Sequence, residues 1–250
     1  MTDHEIRTSA VSRAALARLA VASEAAAASD SYRTLAADSR PTHREPGELA
    51  GTAWRLFEQA RDILRAAVIA DRLAGASWET IGANLGEISK QAAHERYGAA
   101  ETVFRRAALM AWLIPERAGH QLGDLADPHT AQARLTAWLR TPPGPGPGPG
   151  PGTAVETGSA AEVEDFPFGL PAMTDAERAG LLTEAANLLK GAGPYRNAGV
   201  TDAERYEVEL GLARRRVELY EEIAERRPDD PEPAGLLAGA RARLAALEAG

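Results

Sequence analysis

Side chains with the chemistry for catalysis are few in this chain, and their spacing assembles no site. The five histidines, His4, His43, His94, His120 and His129, show no metal-ligand spacing. There is no cysteine, so thiolate zinc sites, cysteine nucleophiles and a disulfide framework are all excluded. A metal held by carboxylates would need a cluster of acids that the sequence does not contain. Phosphate-binding loops, dinucleotide fingerprints and nucleophile elbows are missing too, and the glycine-rich stretch is a linker. Neither a cofactor nor an enzymatic activity is expected. What remains is one concentration of hydrogen-bonding groups, Lys90, Gln91, His94 and Glu95, which helical spacing lays on one outward face. Such a face binds a partner rather than transforming a substrate.

The elements that must hold this face lie in residues 74–97. Gly75 ends the preceding helix and Ser77 caps a new one, on which Trp78, Ile81 and Leu85 recur three and four apart as a buried stripe. Gly86 stops that helix, since a residue without Cβ turns left-handed at little cost. Ile88, the lone apolar residue of the turn, plugs the gap between the two helices. Ser89 caps the second helix, on which Ala92, Ala93 and Tyr97 face inward. Small inner residues let this helix lie close against the first at a steep angle, which pushes its N-terminal side chains towards a partner. Trp78 reads as a core residue rather than a stacking platform.

Trp78, Ile81, Gly82, Leu85 and Gly86, followed by Ser89, Lys90, Gln91, Ala92, Ala93, His94, Arg96 and Tyr97, spell W-x-x-I-G-x-x-L-G and then S-K-Q-A-A-H-x-R-Y. This pattern resembles the helix-turn-helix of small actinobacterial DNA-binding proteins, a relative of the promoter-reading helix-turn-helix of sigma factor region 4. The likeness covers only this stretch. Where the family has one residue between the Gly and the Ser, this chain has two, Glu87 and Ile88, which lengthens the turn. The resemblance implies that the second helix, residues 89–97, reads the major groove, with Gln91 suited to adenine and Lys90 to guanine. His94 then either reads a base or stands solvated, Glu95 accepts from cytosine or orients a neighbour, and Arg96 divides between phosphate and internal pairing. Arg105 and Arg106, next in sequence, are the expected phosphate contacts. Without nucleic acid, the same residues form a packed helical corner.

The 250 residues suffice for two modest domains, and a hydrophobic content of 44% is compatible with folded cores. Low aromatic content with abundant Ala, Arg, Gly and Pro suits a high-GC bacterium. The absence of cysteine points to a reducing compartment, with the cytoplasm as the default. No run approaches the roughly 18 to 20 apolar residues of a bilayer span, and the first twenty residues lack the basic-then-apolar order of a secretion signal. A soluble protein with no membrane partner is expected. The net charge of −8 is unevenly spread: residues 1–152 contain 17 Lys+Arg against 17 Asp+Glu, and residues 153–250 contain 11 against 19. The half that would read DNA is therefore neutral, although phosphate attraction normally supplies much of such affinity. A dimer or a tethering partner would compensate by raising the local concentration of a second reader.

Taken in order, residues 1–47 are an Ala-rich peripheral helix and a loop, with Leu16, Leu19, Tyr32 and Leu35 as sparse anchors that dock weakly. Residues 48–140 form the helix-turn-helix domain. Its long first helix carries Trp54, Phe57, Ile63, Leu64 and Val68 towards the corner, with a mixed-charge outer face of Arg55, Arg61, Arg65 and Arg72 among Glu58, Asp62 and Asp71. After a break or bend at Gly98, a further helix closes the core with Val103, Phe104, Ala107, Met110 and Leu113, and Asp127-Pro128 starts a short sealing helix. Residues 141–171 are a flexible Pro/Gly-rich acidic linker in which Phe166 and Phe168 either dock elsewhere or anchor the following bundle. Residues 172–250 are an acidic interaction module of three helices. Two of them start at the capping boxes Thr174–Glu177 and Thr201–Glu204, the third starts at Asp230, and heptad-like seams run through Tyr206 to Ala224 and Leu237 to Leu247. The basic run Arg214, Arg215 and Arg216 pairs with neighbouring glutamates.

The expectation is an all-α cytoplasmic protein with DNA as partner, acting as a transcriptional regulator, whose residues 172–250 serve a homodimer or a protein partner. The rival expectation is a non-enzymatic adaptor that uses the corner as a scaffold.

Overall fold

The computed structural model describes residues 11–38, 45–140, 169–195 and 200–249. The fold is all-α: among the described residues there is no strand, only an isolated antiparallel bridge between Val11 and Ala172. In chain order the helices are α1 (Arg13–Asp38), α2 (Glu48–Leu73), α3 (Trp78–Asn84), α4 (Lys90–Leu113), α5 (Ala118–Leu122), α6 (Pro128–Arg140), α7 (Asp175–Leu189), α8 (Asp202–Arg226) and α9 (Pro231–Glu248). The Pro-Gly run and the Phe166 and Phe168 motif lie outside the described residues. The described residues form two compact units, one drawn from 13–100 and 127–140 and one from 101–126, 171–195 and 200–249 together with Val11 and Ser12.

In the first unit α1 packs against α2 and α6. Sparse large side chains predicted a weakly docked helix here, but Leu16 and Leu19 are buried together with Ala15, Ala17 and Ala28. The alanines permit a short interaxial distance, so few leucines suffice. Gln59 Nε2 donates to Ser31 Oγ at 3.3 Å, and Trp138 Nε1 donates to Asp30 Oδ1 at 3.1 Å. The α2 stop is a complete Schellman arrangement: Gly75 (φ +101°) donates to Arg72 O at 3.1 Å and Ala76 donates to Asp71 O at 2.9 Å. Leu56, Val68, Ile69 and Ala70 are buried on α2, whereas Trp54 (61% exposed), Phe57 (52%) and Leu64 (39%) point outward. This corrects the single apolar stripe expected from the sequence: α1 covers a different side of the helix, and the α3–α4 cluster reaches only as far as Val68.

The second unit is built on the C-terminal half of α4. Leu109, Met110 and Leu113 pack with Leu181, Leu182, Ala185 and Leu188 of α7, with Val208, Leu212 and Leu219 of α8, and with Met173 and Tyr195. Residues 101–126 thus fall with 171–250 and not with the 48–140 segment drawn from the sequence. No break occurs at Gly98, since α4 is continuous from Lys90 to Leu113. Val103, an expected core residue, is 69% exposed while Leu109 is fully buried, so the inward line runs one side further round the helix. Both predicted capping boxes form, at Thr174–Glu177 and Thr201–Glu204, and Asp230 accepts the Glu232 N–H at 3.1 Å to start α9. Gly211 is where α8 meets the end of α4: a Cβ there would lie 2.5 Å from Leu113 O. Arg215 of the basic run donates from Nε to Trp112 O at 2.7 Å, satisfying a carbonyl in the last turn of α4, and pairs with Glu218 at 2.7 Å.

Candidate nucleic-acid interface

The α3–α4 corner is held by two serine caps and one closely approached glycine. Ser77 Oγ accepts the Thr80 N–H at 3.0 Å and Ser89 Oγ accepts the Ala92 N–H at 3.1 Å, so both helix starts satisfy an orphan donor as expected. Between them, Gly86 (φ +84°) and Glu87 (φ +60°) are left-handed in succession. The turn thus places a non-glycine residue in a region that disfavours a Cβ. Trp78, Ile81, Ala93, Tyr97 and Val68 form a buried cluster, with Leu85, Ile88 and Ala76 packed against it and Ala92 half-buried.

Three determinants escaped the sequence reading. Arg72 places its guanidinium 4.7 Å from the Trp78 ring centroid and donates to Ala76 O, tying the end of α2 to the start of α3. Gly82 lies against the turn, where a Cβ would meet Ile88 O at 2.3 Å. Gly98 makes room for His94, whose Cδ2 and Nε2 would lie 3.0 Å from a Cβ at that position. The legible signal was a glycine inside each helix, since such a residue weakens a helix and commonly marks a close approach.

Of the predicted contact residues, Lys90, Gln91, His94, Glu95 and Arg96 are all exposed on the first two turns of α4. Gln91 Nε2 donates to Glu95 Oε1 at 2.8 Å, one turn along the helix. His94 sets its ring edge-on to Trp78 at 5.4 Å, half engaged with the core. No ion pair joins Lys90 or Arg96 to another described residue. Arg105 and Arg106, by contrast, belong to the second unit and are engaged there. Arg105 Nε and Nη2 both lie 2.8 Å from Oε1 of buried Glu101, and Arg106 Nη2 lies 3.9 Å from Glu204 Oε2. Both guanidiniums, expected from the sequence to meet phosphates, thus face carboxylates, and Glu101, withdrawn from water, needs such a counter-charge within reach. The Glu204 carboxyl is held below its ordinary value first by the Thr201 backbone N–H, with the Thr201 hydroxyl, Arg106 and Arg117 adding to it.

Compared with protein-family models, with curated proteins and with solved structures, the chain matches none. Its local chemistry therefore stands alone. Among the described residues no group of three or more His, Asp or Glu is placed to hold a metal ion. Among them, too, no helix is long and apolar enough to cross a membrane. The corner offers donors from Lys90, Gln91 and Arg96 and acceptors from Gln91 and Glu95, an assembly for hydrogen bonding to a partner.

Proposed function

We propose that the chain is a DNA-binding protein, a bacterial transcriptional regulator acting in the cytoplasm, which lays the first turns of α4 in the major groove. One observation carries this reading: two Ser-capped helices pack through Trp78, Ile81, Ala93 and Tyr97, and a row of hydrogen-bonding side chains is left at the exposed start of the second. Docking that helix end-first brings Gln91 and Lys90 to base edges and Arg96 to the backbone. Gln91 exchanges its bond to Glu95 for a bidentate pairing with adenine, and the freed Glu95 accepts from a cytosine amino group. The test is recovery of sheared genomic DNA by the full-length protein at near-physiological salt, followed by sequencing. A shared motif that vanishes in a Lys90→Ala/Gln91→Ala double variant supports the reading, and recovery equal to a bare support defeats it.

A second reading, a protein-binding adaptor, is favoured by the charge. Residues 1–152 are balanced at 17 Lys+Arg against 17 Asp+Glu, and Arg105 and Arg106 are already paired with glutamates. In that reading the acidic residues 172–250 hold a protein partner. Salt separates the two: DNA affinity falls steeply as counterions compete, with an exponent set by the phosphates contacted.

A further inference from the structure

Along the outer side of α2 run Ala50, Trp54, Phe57, Arg61, Leu64 and Val68, four and three residues apart, which keeps them in one line on a helix. At Val68 the line is covered by the α3–α4 cluster. Trp54, Phe57 and Leu64 are left exposed, and the rings of the first two lie tilted at 39° with centroids 5.5 Å apart. An aromatic side chain buries about 150 to 250 Å² when covered, so the two rings expose on the order of 250 Å², and Leu64, further along the line, extends the patch. That is the size of patch which on a monomer commonly marks an interaction site.

We infer that this stripe seats a second copy of the chain, with the two α2 helices antiparallel. The charge pattern selects the occupant and its direction. Arg61 is the one charged residue in the line, paired with Glu58 at 2.9 Å and placed 5.9 Å from its own Phe57 ring. In a parallel pair each Arg61 meets its equivalent, and like charges in the seam oppose association. With the helices antiparallel about a twofold level with residue 59, Trp54 faces the partner's Leu64 and Arg61 faces the partner's Phe57, beside the partner's Glu58. Two Arg and two Glu then alternate at the centre, so the surface is complementary to itself as an isologous contact requires. Exposed Ala53 and Ala60 flank the line on one side and let the backbones approach. The flanking Ala53, Ala60, Arg65 and Glu58 widen the contact beyond the line itself. This surface lies on α2, apart from residues 172–250, and the inference stands whether or not the protein reads DNA.

Sedimentation of the full-length protein tests it, beside cross-linking that uses the absence of native cysteine. A concentration-dependent dimer is expected, and Trp54→Glu/Phe57→Glu is expected to weaken it at least about 30-fold. Helicity should stay at the wild-type level, because both positions are exposed, and melting should fall only by the lost contribution of dimerisation, becoming independent of protein concentration. Under mild oxidation Ala60→Cys is expected to give a disulfide-linked dimer, because residue 60 lies beside its equivalent at the twofold. Ala53→Cys alone should not, whereas an Ala53→Cys/Ala67→Cys chain should. A monomer at every concentration, a dimer indifferent to Trp54→Glu/Phe57→Glu, or efficient linking of Ala53→Cys to itself would each overturn the proposal.

Discussion

The carbonyl oxygen of Ile88 stands 2.3 Å from the point a Cβ on Gly82 would occupy, so the turn lies directly on the face of α3. A helix-interior glycine here is a steric requirement, because the obstacle is backbone and cannot rotate away. Gly82→Ala is expected to destabilise the first unit by about 2 kcal/mol or more, the scale of overpacking in a closed core. A lowered melting temperature checks this, and wild-type melting would contradict the contact.

Glu87 is left-handed at φ +60° without being glycine. A Cβ there costs roughly 1 to 2 kcal/mol, part of which glycine gives back through the entropy of the unfolded chain. Glu87→Gly is therefore expected to raise stability by about 0.5 to 1 kcal/mol, as read by denaturant titration with an unchanged slope.

Arg105 pairs with the carboxylate of Glu101, four residues before it on α4. Arg105→Ala removes the guanidinium that lies 2.8 Å from the carboxylate of Glu101, 8% exposed. It should cost about 1 to 3 kcal/mol of stability while leaving any DNA affinity and its salt dependence unchanged. Lys90→Ala should do the opposite, sparing the melting curve and altering base preference. Arg96→Ala should weaken all DNA sequences alike and reduce the salt exponent by about one.

The capping box at the start of α8 has a pH signature. The folded Glu204 carboxyl is lowered, chiefly by the Thr201 backbone N–H. The unfolded chain therefore binds the proton more readily, and the contribution is fully present above the unfolded Glu value of about 4.3 and lost as pH falls through the lower folded value. Glu204→Gln should flatten the acid side of the stability profile between pH 5 and 3, to be measured by urea denaturation at each pH, with little change of slope near pH 7.

Short-range chemistry was legible in the chain by itself. The serine caps at 77 and 89, the capping boxes at 174 and 201, the glycine stops at 75 and 86, and the inward set Trp78, Ile81, Ala93 and Tyr97 all depend on residues within about one or two helical turns of each other. The all-α class followed from them. What tertiary structure decided was every choice among equivalent faces. On α2 the periodicity grouped Trp54 and Phe57 with Val68, but α1 occupies another side of the helix and leaves the aromatics outside. On α4 the same ambiguity made Val103 look internal, until α7 and α8 claimed the line through Leu109, Met110 and Leu113. Helical spacing states which residues share a side, and only a neighbouring element, distant in sequence, determines which side is buried.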